Sequence, residues 1–153
     1  MAPDNAQVRV PPPLFYALAV LGGFLLNRQW PMPIGDGVLV NALATILLAA
    51  AVALSASGVG MFRRSRTSIV PVRPATALVV SGPYRFTRNP MYVGLAVLTV
   101  ALALFMDTWW PVLLLVPVLF TIQRFVIARE EKYLQRRFGA EYTAYAQRVR
   151  RWV

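Results

Sequence analysis

Four stretches without a charged side chain, 10–27, 37–62, 89–106 and 108–123, leave this chain few ways to fold. They are 18, 26, 18 and 16 residues long. A helix needs roughly 20 apolar residues to cross hydrocarbon. A backbone facing lipid must satisfy its own hydrogen bonds, which favours helices. The second run is long enough alone. The others borrow flanking residues, with Arg28, Arg88 and Arg124 reaching for the headgroups. The pattern predicts an all-α polytopic membrane protein, a single domain over 1–153 with four transmembrane helices. They cover about Pro12–Leu26, Gly37–Met61 and Pro90–Phe105, and a fourth from Pro111. The fourth is expected to run past Arg124 toward Phe138, with Gly139 as its C-cap. Residues 1–11 read as a flexible lead, 62–92 as a long functional loop, and 124–153 as cytoplasmic helices. Within 124–153, Tyr142, Tyr145, Val149 and Trp152 are expected on one face of an interfacial helix. Leu25-Leu26-Asn27-Arg28 offers no small-residue cleavage site, so the first run reads as retained rather than as a signal peptide.

Charge sets the orientation. Of 16 Lys and Arg, 14 fall in Arg63–Arg88 or from Arg124 onward. This is the positive-inside pattern and predicts cytoplasmic termini. The net charge of +10 is therefore expected to meet anionic lipid rather than nucleic acid. The second run carries small residues four apart, Ala49, Ala53 and Ser57 beside Ala56 and Gly60, which predicts close helix packing. Gly58-Val59-Gly60 belongs to that packing, since no strand precedes it as a nucleotide loop requires.

The chemistry available is narrow. The chain has no Cys and no His, which excludes disulfides, Ser-His-Asp and Cys-His catalysis and almost every zinc site; no metal is expected. Of six acidic residues, Asp4 is in the N-terminal lead and Asp36 and Asp107 sit at the outer surface, which leaves Glu130, Glu131 and Glu141 on the signature's side of the membrane. On that side Gly82-Pro83-Tyr84-Arg85-Phe86-Thr87-Arg88-Asn89-Pro90-Met91-Tyr92-Val93-Gly94 separates two apolar runs. Asn89-Pro90 reads as a helix start, with Asn as N-cap and Pro in the first turn. Such a start suits a carboxylate or phosphate, and Tyr84 and Tyr92 offer ring faces to a cation. Two readings stand on these residues alone: an anion and cation site, or a plain capped membrane helix with interfacial tyrosines. Glu130 and Glu131 are likewise open to two readings, ion pairs beside Arg124 and Arg129 or an anion facing a ligand. Neighbours on a helix point about 100° apart, so at most one of them faces a ligand squarely.

Gly82-Pro83-Tyr84, then Arg88-Asn89-Pro90-Met91-Tyr92-Val93-Gly94, resembles the signature of isoprenylcysteine carboxyl methyltransferases and their prokaryotic relatives. Glu130-Glu131-x-x-Leu134, then Phe138-Gly139-x-Glu141-Tyr142-x-x-Tyr145, resembles the same family's C-terminal signature. The likeness spans about Thr67 to Val149. It implies S-adenosylmethionine-dependent methylation of a lipophilic or lipidated acceptor at the cytoplasmic face of a bacterial or archaeal inner membrane. Membrane lipids are the implied surroundings. It also implies that Thr76, Ala77, Leu78, Val79, Tyr84, Asn89, Pro90, Met91, Tyr92 and Glu130 line the methyl-donor site.

Two positions depart from the pattern. Asn89 stands where eukaryotic members have His. Val126 stands where they hold an Arg for the substrate carboxylate, leaving Arg124 and Arg129 as the nearest catalytic replacements, with Arg129 the better placed. The expected acceptor is thus broader than a prenylcysteine, and Val126→Arg is expected to raise turnover of farnesylcysteine analogues. The rival readings are an NADPH-dependent reductase of the sterol-reductase type and a non-catalytic membrane scaffold.

Overall fold

The computed structural model describes residues 10–66 and 74–153. Residues 1–9 of the expected 1–11 lead, and the loop segment 67–73 with Pro71 and Arg73, lie outside them. All four apolar runs are helical. α1 is Pro12–Gln29, α2 Val38–Arg64, α3 Pro90–Phe105 and α4 Trp110–Thr121. α4 passes without a break through a π-helical stretch, Ile122–Ile127, into α5, Ala128–Phe138. α6, Ala140–Arg148, follows Gly139. A single 3-10 turn, Gly82–Arg85, precedes α3. Among the described residues there is no strand, only an isolated parallel bridge between Thr87 and Arg150.

Two helices, Val38–Arg64 and Trp110–Phe138, are long and apolar enough to cross a membrane. α3 is apolar but shorter, at 16 residues. The distribution of side-chain size fits lipid surroundings. Leu14, Leu18 and Leu25 point outward from α1, as Val116 and Phe120 do from α4, while Ala19, Ala44, Ala51, Ala101 and Ala103 are buried. In hydrocarbon, large apolar groups gain nothing by hiding, and small ones let backbones approach.

α2 packs along α3, and α1 along α4. A Cβ on Gly94 would sit 2.6 Å from Ser55 Oγ and 3.4 Å from the Ala51 carbonyl oxygen. One on Gly58 would sit 2.9 Å from Met91 Cγ. The packed face of α2 is thus Ala44, Ala51, Ser55 and Gly58. The Ala49, Ala53 and Ser57 stripe read from the sequence is exposed, as is Ala56. Small residues occur all round this helix, so its partner, not its composition, selects the face. We expect Gly94→Ala to cost about 1–3 kcal/mol by overpacking. Thermal melting in detergent checks this, and an unchanged midpoint would contradict the close approach.

At the end far from the signature, two turns are tied together. Asp107 Oδ1 accepts from the backbone N–H groups of Ile34 and Gly35 at 2.9 and 2.8 Å. Asn27 Oδ1 accepts from Met32 N–H and the Thr108 hydroxyl. Trp110 Nε1 donates to the Trp30 carbonyl at 2.7 Å. These bonds fix the α1–α2 and α3–α4 connections against each other. They leave the opposite end of the bundle to be organised by the signature residues.

Candidate functional site

The site is built from two helix turns far apart in sequence. Tyr92 lies in the first turn of α3, and Glu130 in the first turn of α5. The Tyr92 hydroxyl donates to Glu130 Oε1 at 2.8 Å, across 38 residues of sequence. Tyr133, one turn beyond Glu130, accepts from Ala75 N–H at 2.9 Å. Residues three apart share a helix face, so this bond brings the segment after Pro74 to the Glu130 side of α5. In that segment Val79 is buried, Ala77 and Leu78 are half-buried, and Thr76 is exposed with its hydroxyl donating to the Arg66 carbonyl.

Tyr84, on the 3-10 turn, is buried. Phe62 meets its ring edge-on at 5.6 Å, and its carbonyl accepts from the Tyr145 hydroxyl at 2.8 Å. Pro90 is fully buried, and Met91 fills the notch at Gly58. The structure therefore gathers Val79, Tyr84, Pro90, Met91, Tyr92 and Glu130 at one end of the bundle.

Asn89 departs from expectation. It occupies the N-cap position of α3, but its side chain makes no cap bond. Its Nδ2 instead donates to the Arg151 carbonyl at 2.9 Å, and Thr87 Oγ1 accepts from its backbone N–H. The cause is the C-terminal tail, which folds back beside the helix start. Arg88 N–H donates to the Arg150 carbonyl at 2.9 Å, and the Thr87 hydroxyl to that of Arg151. The tail also corrects the expected helical face, because α6 ends at Arg148 and Val149 is extended. Trp152 therefore leaves the helix and donates its Nε1 to Gln123 Oε1 at 2.8 Å. Tyr142 and Tyr145 do share a face, but both are buried in the protein.

Glu131 holds this tail. It accepts from Arg88 Nη1 at 3.0 Å and from Arg151 Nε at 3.0 Å, with Arg151 Nη2 on its other oxygen. The bond to Glu131 raises the Arg151 guanidinium pKa above its usual range. Burial, then the neighbouring Glu131, raises the Tyr142 hydroxyl, while Arg88 opposes the rise. Burial also raises Tyr145. The two adjacent glutamates thus divide their roles by direction, Glu130 toward Tyr92 and Glu131 toward the basic tail. One donor is left over, since Arg88 Nε is buried with no hydrogen-bond partner. Arg88, expected to reach for the headgroups, is instead held inward by Glu131 and Tyr142; its place directly before the Asn89 helix start was the available signal for a site role.

Arg124 and Arg129 are exposed, whereas Val126 is 3% exposed. The structure brings neither arginine onto Val126's face. The π-helical stretch shifts the register between these positions, so regular α-helical angles do not carry through it. Val126 packs in an apolar cluster with Tyr16, Leu115, Ile122, Ile127 and Tyr133. This reverses the expectation for Val126→Arg. A guanidinium buried there without a partner costs several kcal/mol. We expect a lower melting temperature and no gain in farnesylcysteine turnover. A well-folded variant with raised turnover would contradict that.

A helical bundle with two helices long and apolar enough to cross a membrane, many large apolar side chains facing outward and a tyrosine–carboxylate cluster at one end defines a membrane-embedded helical protein with a polar terminal site. Residues 39–141 match the model of the phospholipid methyltransferase family, and the chain belongs to that family. Family membership makes it a membrane methyltransferase acting on a lipid-like substrate. A Haemophilus influenzae protein described as uncharacterized is 41% identical over 66 residues, which is 41% of this chain and all of that protein. No solved structure matches.

Proposed function

We propose that this chain transfers a methyl group from S-adenosylmethionine to a membrane lipid. The observation that carries the reading is the Tyr92–Glu130 hydrogen bond, which joins the two signature segments into one cluster. The donor set fits the group. Glu130 is an anion for its ammonium. Arg88 Nε, buried and unpaired, is a donor for its carboxylate, beside the start of α3. The rings of Tyr84 and Tyr92 suit its sulfonium. When bound, S-adenosylmethionine supplies an electrophilic methyl group. Direct displacement asks the chain for alignment and exclusion of water more than for a dedicated base. A chain without His or Cys can meet that demand.

The acceptor reading is a phospholipid-like molecule rather than a strict prenylcysteine. Val126 supports it, since this position offers no charge to a substrate carboxylate. The test is transfer of labelled methyl from S-adenosylmethionine to a phospholipid extract or to N-acetyl farnesylcysteine. We expect label in the phospholipid fraction. Efficient methylation of the prenylcysteine alone would overturn the acceptor reading, and no transfer to either would overturn the reaction.

The basic loop and tail support an orientation with this site on the cytoplasmic face. Cysteines introduced at positions 65 and 147 should then label in cells only with a membrane-permeant reagent. Ready labelling by an impermeant one would reverse the orientation.

A further inference from the structure

α1 and α3 part to leave a cavity of about 560 Å³. Tyr16, Val20 and Phe24 form one wall, and Leu95, Leu98 and Leu102 the other. The lining hydroxyls are already used. Tyr16 donates to the Tyr92 carbonyl at 3.3 Å, and Thr99 to the Leu95 carbonyl at 2.9 Å. Neither has a proton left to donate to a ligand. We propose that this groove holds one acyl chain of the acceptor lipid, with the lipid's polar end at Tyr92 and Glu130; the assignment of that lipid as acceptor rests on the methyltransferase reading.

Three features select this occupant over a helix of another protein. The groove borders the polar site: Tyr16 lines it and is bonded to the backbone of Tyr92, whose own hydroxyl meets Glu130. Its depth matches one leaflet. Its lining on the α3 side runs from Leu95 to Met106, about 17 Å at 1.5 Å per residue, close to half of a hydrocarbon core about 30 Å thick. Ala17, between Tyr16 and Val20, is the small residue that leaves it room on the α1 side. α1 lies outside the residues matched by the family model, so one wall of the groove belongs to this chain's own N-terminal helix.

The experiment uses the full chain in lipid nanodiscs doped with a phosphatidylethanolamine that carries a photoreactive diazirine in one acyl chain. Cross-linked peptides are mapped by mass spectrometry. Label should concentrate on groove positions of α1 and α3. Ala17→Trp fills the groove from an exposed position, and Leu21→Trp does so from a second if the first folds poorly. Either should cut labelling of α3 at least fivefold, leave labelling near the outward Ile46 and Val52 unchanged, and leave adenosylhomocysteine affinity unchanged. In the methyl-transfer assay the same variants should raise KM for phospholipid more than they lower kcat. Label spread evenly over Leu18, Ile46, Val116 and the groove would mean bulk boundary lipid and overturn the proposal. So would groove labelling that neither tryptophan reduces. Labelling needs no methyl donor, so its failure and a failure of the methyltransferase reading are separate results.

Discussion

Glu130→Gln is expected to weaken adenosylhomocysteine binding at least tenfold while leaving the fold intact. Gln keeps the length and an oxygen that can accept from Tyr92, whose hydroxyl lies 2.8 Å from Glu130 Oε1. What it loses is the charge. A charge-assisted hydrogen bond is about twice as strong as a neutral one, and a tenfold change in affinity is about 1.4 kcal/mol. A half-buried site at the end of a helical bundle screens charge less than bulk water does. Calorimetric titration of the purified protein measures the effect, and melting without ligand controls for folding. An unchanged dissociation constant in a well-folded variant would remove Glu130 from the donor site.

The second large effect is expected one residue away and of a different kind. Glu131→Gln should lower stability by about 2 kcal/mol, because it leaves Arg88 and Arg151 without their shared carboxylate. Breaking a buried pair costs about 3–5 kcal/mol. The value here is smaller because the Arg151 side chain is 39% exposed, and solvent screens it. At this chain length about 2 kcal/mol corresponds to a melting shift of about 4–8 °C. Donor affinity should fall less than in Glu130→Gln. A double-mutant cycle of Glu131→Gln with Arg88→Gln isolates the pair. Additive losses would show that the tail is held by its backbone bonds to Arg88 and Asn89 and not by charge.

The contrast between these two glutamates shows what the sequence carried. Their adjacency alone implied that only one faces a ligand. The resemblance pointed to Glu130; what Glu131 does depended on a tail whose course no local pattern encodes. Trp152 falls in helical register with Tyr142 and Tyr145, yet the chain leaves α6 at Val149 to pair with Thr87 and Arg88. That pairing is long-range, and it takes the Asn89 side chain away from its expected cap.

The helices themselves were legible, because unbroken apolar runs leave the backbone no other way to satisfy its hydrogen bonds in lipid. The stop at Gly139 was legible too. Its φ of +53° is one that glycine adopts at little cost. The π-helical stretch at Ile122–Ile127 was not. A change of hydrogen-bond register needs no special residue type, and nothing in Gln123-Arg124-Phe125-Val126 announces it. It changes the angle between Val126 and Arg129, which simple helical spacing puts nearly on one face. The packed face of α2 was hidden for the opposite reason, since small residues lie on every side of it.

The claim that the signature segments form a methyl-donor site is tested most directly by thermal-shift titration of the wild-type protein and Glu130→Gln with adenosylhomocysteine and with NADPH. Adenosylhomocysteine should stabilise the wild type, this stabilisation should be lost or much reduced in Glu130→Gln, and NADPH should stabilise neither. Stabilisation by NADPH, or by neither ligand, would contradict that claim.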